Sequence, residues 1–153
     1  MRLLRYWGPV LVWAAVISYA STGAFGSART SGHIIPILHW LFPSASAPTL
    51  FYVHHLIRKG AHVFEYAIFA LLVLRGFRAG RKEWRWKWAF NATLVVACYA
   101  ALDEYHQSFV PGRGASAWDS LLDTSAGVAA LMIAWAVISW RSNRRAAANK
   151  APA

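Results

Sequence analysis

Apolar residues gather into four stretches of the length needed to cross a bilayer, which takes about 20 residues for a hydrocarbon core of about 30 Å. They cover residues 6–25, 59–76, 88–109 and 118–140. Between the first two, the chain stays apolar but is interrupted by Pro36, Pro43 and Pro48. Its two candidate helical pieces, 34–42 and 49–57, are too short to span and read as short interfacial helices. After residue 141 the polar tail 142–153 reads as disordered, so the pattern predicts one domain over 1–141. The class expected is an all-α membrane protein with four transmembrane helices. Arg2 and Arg5 before an apolar run ending in Ser18-Tyr19-Ala20 also fit a cleaved signal peptide. The length of that run and its tryptophans favour a retained span.

Composition agrees with the pattern. Of 153 residues, 58% are hydrophobic and only 14% charged, against roughly 45–50% and about 25% in soluble domains. The low charge argues against a disordered chain, and the single cysteine, Cys98, against a disulfide scaffold. A net charge of +10 would suggest nucleic-acid binding in a soluble protein. The positions of the cations give another meaning. Arg2 and Arg5, the six between Arg75 and Lys87, and Arg141, Arg144, Arg145 and Lys150 lie on one side of the alternating spans. Arg29, Arg58, Lys59 and Arg113 lie on the other. Under the positive-inside rule both termini are cytoplasmic, and no nucleic-acid partner is expected.

The six acidic residues show the opposite bias. Glu83 belongs to the basic loop, whereas Glu65, Asp103, Glu104, Asp119 and Asp123 lie in or against the spans. An Asp at the centre of a membrane helix costs about 2.5–3.5 kcal/mol on insertion scales, so five carboxylates there call for a role. The predicted topology puts all five near the extracytoplasmic ends of their helices, in one layer with His54, His55, His62, His106, Arg58, Lys59 and Arg113. Helical spacing aligns them: Arg58, His62 and Glu65 on one stripe, Lys59, His62 and Tyr66 on its neighbour, and Asp103, His106 and Gln107 on a third. Asp119, Asp123 and Gly127 follow at intervals of four, beside the small-residue face of Ala126, Ala130 and Ala134. Lipid cannot host such stripes, so they are expected to face one another. The Pro111-Gly112-Arg113-Gly114 turn offers a guanidinium to a carboxylate or a phosphate.

The run Asp103-Glu104-Tyr105-His106-Gln107-Ser108-Phe109-Val110-Pro111-Gly112-Arg113, with Asp119 and Asp123 beyond it, resembles the signature of the VanZ-like family of small membrane proteins. Upstream, Lys59-Gly60-Ala61-His62-Val63-Phe64-Glu65-Tyr66 resembles that family's other marked block. The resemblance implies an integral membrane protein of the inner membrane, with a link to glycopeptide resistance of the teicoplanin type. It also implies importance for Lys59, His62, Glu65, Tyr66, Glu104, His106, Gln107, Arg113, Asp119 and Asp123.

From residues and resemblance together, the expected function is an envelope role in which a polar extracytoplasmic pocket binds, or modifies, an anionic lipid or lipid-linked cell-wall intermediate. Lys59, Arg113, Gln107, Tyr66, Asp119 and Asp123 are the candidate binding residues. Glu104, His106, Asp103, His62 and Glu65 are the candidates for proton transfer. A divalent metal is a further candidate, since Asp103-x-x-His106 and His62-x-x-Glu65 can bring oxygen and nitrogen ligands together from two helices. Two other readings stay open at this level: a non-enzymatic scaffold whose charge network is structural, and a small ion-coupled carrier. No Walker loop, nucleotide-binding glycine turn, nucleophile elbow or paired-cysteine zinc motif occurs.

Overall fold

A computed structural model describes residues 2–111 and 113–148. It is all-helical among those residues: α1 (Arg2–Ala20), a single 3₁₀ turn (Gly23–Phe25), α2 (Ser27–Leu41), α3 (Ala47–Arg78), α4 (Trp86–Gln107) and α5 (Ala117–Ala148). The four long helices form a bundle around α3. Its α5 neighbour runs parallel to it, because Lys59 meets Asp119, His62 meets Asp123 and Ala70 lies against Gly127. The other two run antiparallel to α3. Trp7 packs on Gly76 while Trp13 Nε1 donates to the Glu65 carbonyl at 2.9 Å, and α4 reaches α5 at Trp86–Trp135 and at Val96–Gly127.

Tyr66, Phe69, Ala70, Val73, Ala92, Val96, Ala100 and Leu131 fill the centre, with Val10 and Ile17 of α1 closing one side. Outside them, large apolar side chains such as Leu11, Phe51, Phe90, Leu102 and Ile133 are exposed all round the bundle. Soluble monomers rarely expose so much contiguous apolar surface, whereas a lipid-facing surface requires it. Cys98, in the same outward layer, is exposed.

Three of the helices, α1, α3 and α5, are long and apolar enough to cross a membrane. The third of the four expected spans, α4, is not: Asn91, Asp103 and Glu104 dilute its apolar run. Several boundaries also differ from the sequence pattern. The helix of the second stretch extends beyond residue 59 at its N-terminal end: α3 starts at Ala47 and absorbs the piece 49–57 as its first turns. Ser46 caps that start by accepting from the Thr49 N–H, with Pro48 in the first turn where its missing N–H costs nothing. The piece 34–42 belongs to α2, which starts earlier and continues through Pro36. A proline removes one intrahelical bond, and here the helix persists around it. The first stretch ends as helix at Ala20, not at residue 25. The tail expected to be disordered from residue 142 is helical to Ala148, and 149–153 lie outside the described residues.

Helices α3, α4 and α5 approach closely at Gly127, where an added Cβ would lie 2.9 Å from Val96 Cγ1 and 3.4 Å from Ala70 Cβ. Gly127→Val is therefore expected to destabilise the protein by about 1–3 kcal/mol through overpacking. Thermal unfolding in detergent should show this, and the milder Gly127→Ala should cost less in a Val96→Ala background. An unchanged midpoint for Gly127→Val would contradict the crossing.

Candidate functional site

Polar side chains converge at the end of the bundle where α1 and α4 finish and α5 begins. In the first turn of α5, Asp119 forms an ion pair with Lys59 of α3, both about one-third exposed. One turn deeper, Asp123 is fully buried, and its Oδ2 accepts from His62 Nδ1 at 3.3 Å. Spacing of four on α5 and three on α3 makes this two-rung ladder possible, since both place successive side chains on one helix face.

The last turns of α4 bury Asp103, Glu104 and Gln107. Gln107 Nε2 donates to Asp103 Oδ2 at 2.8 Å and lies 3.4 Å from Ser21 Oγ, while its Oε1 accepts from Arg113 Nη1 at 3.0 Å. Gln107 thus stands as a neutral bridge between a buried carboxylate and a half-buried guanidinium. Arg113 Nη2 donates to the Ala20 carbonyl at 2.6 Å, placing its charge at the negative end of the α1 dipole. Glu104 Oε2 accepts from the Ser116 N–H at 2.8 Å, which puts a carboxylate at the positive end of α5.

Two cavities meet at this cluster. One, of about 210 Å³, is lined by Arg58, Lys59, His62, Gln107, Arg113 and Asp119 among others. The second, of about 160 Å³, has apolar walls from Phe25, Ile34 and Ile57 and reaches Glu65. Arg58, His62 and Arg113 line both. Among the described residues neither Arg58 nor Arg113 forms an ion pair with a carboxylate. Burial, and then the neighbouring Arg58, push the Arg113 guanidinium below its usual range. Four buried polar atoms are unpartnered among the described residues of this region: Tyr66 Oη, Glu104 Oε1, Arg113 Nε and Asp123 Oδ1.

Of the candidates taken from the sequence, Lys59, His62, Gln107, Arg113 and Asp119 line the first cavity, and Glu65 the second. Tyr66, Asp103, Glu104 and Asp123 are buried and line neither cavity. His106 is exposed, because α4 turns Asp103 and Gln107 inward and leaves the intervening position on the outer surface. Asp103 and His106 therefore do not act as one ligand pair, and no three His, Cys, Asp or Glu among the described residues come together as a metal site. Arg58 stood on the stripe of His62 and Glu65 without being counted among the binding residues, and Ser21 and the Ala20 carbonyl on α1 were not singled out. Arg58 was visible as a cation in the right layer. Ser21 had no local signal, since its burial depends on how the loop after α4 folds back onto α1.

Replacing Gln107 by Leu keeps the volume but removes both halves of the bridge, leaving Asp103 and Arg113 each short of a partner. A loss of about 1–3 kcal/mol is expected, read from detergent unfolding. Ser21→Ala, which removes one long contact, should change stability by less than about 1 kcal/mol. Equal effects from the two would argue against the bridge.

A family model described as VanZ/LLP1 matches residues 6–139. No curated protein and no solved structure matches the chain. The matched region contains all four long helices through most of α5, together with every residue of the polar cluster, and the chain belongs to the VanZ/LLP1 family.

Proposed function

We propose that this protein binds an anionic membrane lipid or lipid-linked cell-wall intermediate at the polar end of its bundle, as part of an envelope or glycopeptide-resistance function in a bacterial inner membrane. The carrying observation is the pair Arg58 and Arg113. Two guanidinium groups line the same cavities with no carboxylate paired to either. Like charges are costly to hold together out of bulk water, and a phosphate is the ligand their forks match. Lys59 is the weaker candidate, since Asp119 already neutralises it. The adjoining apolar cavity supplies a place for a hydrocarbon chain beside the headgroup.

In this reading α4 is a fourth crossing helix. Its 22 residues are about 33 Å long at 1.5 Å per residue. Asp103 and Glu104, two of the groups that lower its hydropathy, are turned into the bundle and away from lipid. Both termini are then cytoplasmic, on the side carrying twelve of the sixteen Lys and Arg residues. A purely structural charge network would need no unpaired arginines. An ion-coupled carrier would need polar groups along the rest of the bundle, where Phe69, Ala70, Val73 and Val96 are packed instead.

Native mass spectrometry of the full-length protein should detect a retained anionic lipid, reduced at least about tenfold in Arg58→Ala and Arg113→Ala, as expected for loss of roughly 1.4 kcal/mol or more. Competition with inorganic phosphate separates headgroup from chain: weak displacement means that the hydrocarbon contributes. Absence of lipid, or equal retention by the variants, would overturn the assignment. For topology, a fluorescent reporter that matures only in the cytoplasm should be bright at either terminus.

A further inference from the structure

His62 differs from every other histidine of the chain in having both an orienting carboxylate and access to a cavity. His54 is buried with its Nε2 at 3.1 Å from Thr30 Oγ1, a contact between α2 and α3. His55 lines the first cavity but makes no hydrogen bond or ion pair with a carboxylate among the described residues, and His33, His39 and His106 are exposed. His62 has Nδ1 bound to Asp123, a side chain with 0% exposure, while the His62 side chain keeps 19%. With Asp123 ionised, its carboxylate can only accept, so Nδ1 carries the proton and the neutral imidazole has its lone pair on Nε2. Nε2 is unpartnered among the described residues and is not among the sealed atoms. The ring lines both cavities, as do Arg58 and Arg113.

Resting on the anionic-lipid reading above, we propose that His62 and Asp123 form a proton-transfer dyad that hydrolyses the terminal phosphate bond of a single-chain lipid phosphate held by Arg58 and Arg113, a phosphoester in a monophosphate and a phosphoanhydride in a diphosphate. The polar cavity receives the phosphoryl group, and the 160 Å³ apolar cavity has room for the start of one chain. Nε2 takes a proton from water as the water oxygen adds to phosphorus. The bond between phosphorus and the lipid-side oxygen breaks, and the imidazolium returns its proton to that leaving oxygen. The products are the lipid alcohol, or the lipid monophosphate when the substrate is a diphosphate, together with inorganic phosphate. The two guanidinium groups stabilise the charge on the phosphoryl oxygens during transfer. Asp123 is a positioning residue: buried below the ring, it fixes the tautomer and stabilises the imidazolium without touching the lipid.

The test uses the full-length protein in nanodiscs, with farnesyl diphosphate and a monoacylglycerol phosphate as probes and release of inorganic phosphate as readout. The wild type should hydrolyse at least one probe. His62→Asn should lose about 10²–10⁴-fold in kcat, the usual contribution of a general base. Asp123→Asn should also lose kcat with little change in KM, and both variants should still retain lipid by mass spectrometry. If the wild type retains lipid but releases no phosphate from either probe, or if His62→Asn is as active as the wild type, the dyad is refuted while the binding site stands. If no lipid is retained at all, the binding site itself fails. Should the variants not fold, diethyl pyrocarbonate on the wild type decides: carbethoxylation of His62 should be slowed by inorganic phosphate, and an unprotected or unreactive His62 overturns the proposal.

Discussion

A fully buried carboxylate inside an apolar bundle must find a partner, and the meeting of Asp123 with His62 is the constraint on which the rest of this fold depends. It sets α3 and α5 parallel and in one register, with Lys59 and Asp119 paired one turn toward the end and Gly127 closing the contact one turn further in. Sliding α5 by one residue would carry Asp123 away from the imidazole and bring a side chain where only a hydrogen fits. The charged ladder and the glycine therefore select the same arrangement for different reasons: the one because an uncompensated buried charge is costly, the other because close packing tolerates no added volume.

The second half of the site is built on helix ends. Arg113 meets the carbonyl end of α1 and Glu104 the amide end of α5, so two charges that are not paired with each other each complement a dipole. Gln107 joins these parts by using both faces of its amide, donating to Asp103 and accepting from Arg113. A charged residue in its place would satisfy one neighbour and repel the other. The loop after α4 is thereby fastened to α1, which also packs on the bundle through Val10 and Ile17, through Trp7 and Trp13, and through the Tyr99 hydroxyl bound to the Ala14 carbonyl.

What was legible in the sequence follows from what is local. The spacing of Asp119, Asp123 and Gly127 identified the inner face of α5 because a helix repeats regularly enough for positions four apart to agree. The same rule placed His106 with Asp103 and Gln107, but three and four residues of separation diverge at the edge of a face, and His106 fell outside. The prolines of this region were read as interruptions; Pro48 does mark the start of α3, while Pro36, which lay inside the expected piece 34–42, lies within α2. The hydropathy of α4 is an average over all its faces, and an average cannot distinguish carboxylates on the outer surface from carboxylates turned into the bundle, as Asp103 and Glu104 are. Ser21 and the Ala20 carbonyl were beyond reach, because nothing near them in sequence specifies the return of a loop more than eighty residues later.

The apolar cavity lies beneath α2, with walls from Ile34 on one side and Ile57 and Ala61 of α3 on the other. On the lipid-binding proposal, a chain occupying it would belong to a ligand already dissolved in the membrane rather than in the aqueous phase. Its supply would then be set by surface density, so that occupancy follows the mole fraction of the ligand among neighbouring lipids and is insensitive to the volume of solution around the membrane. Such a site samples the composition of the bilayer in which it is embedded.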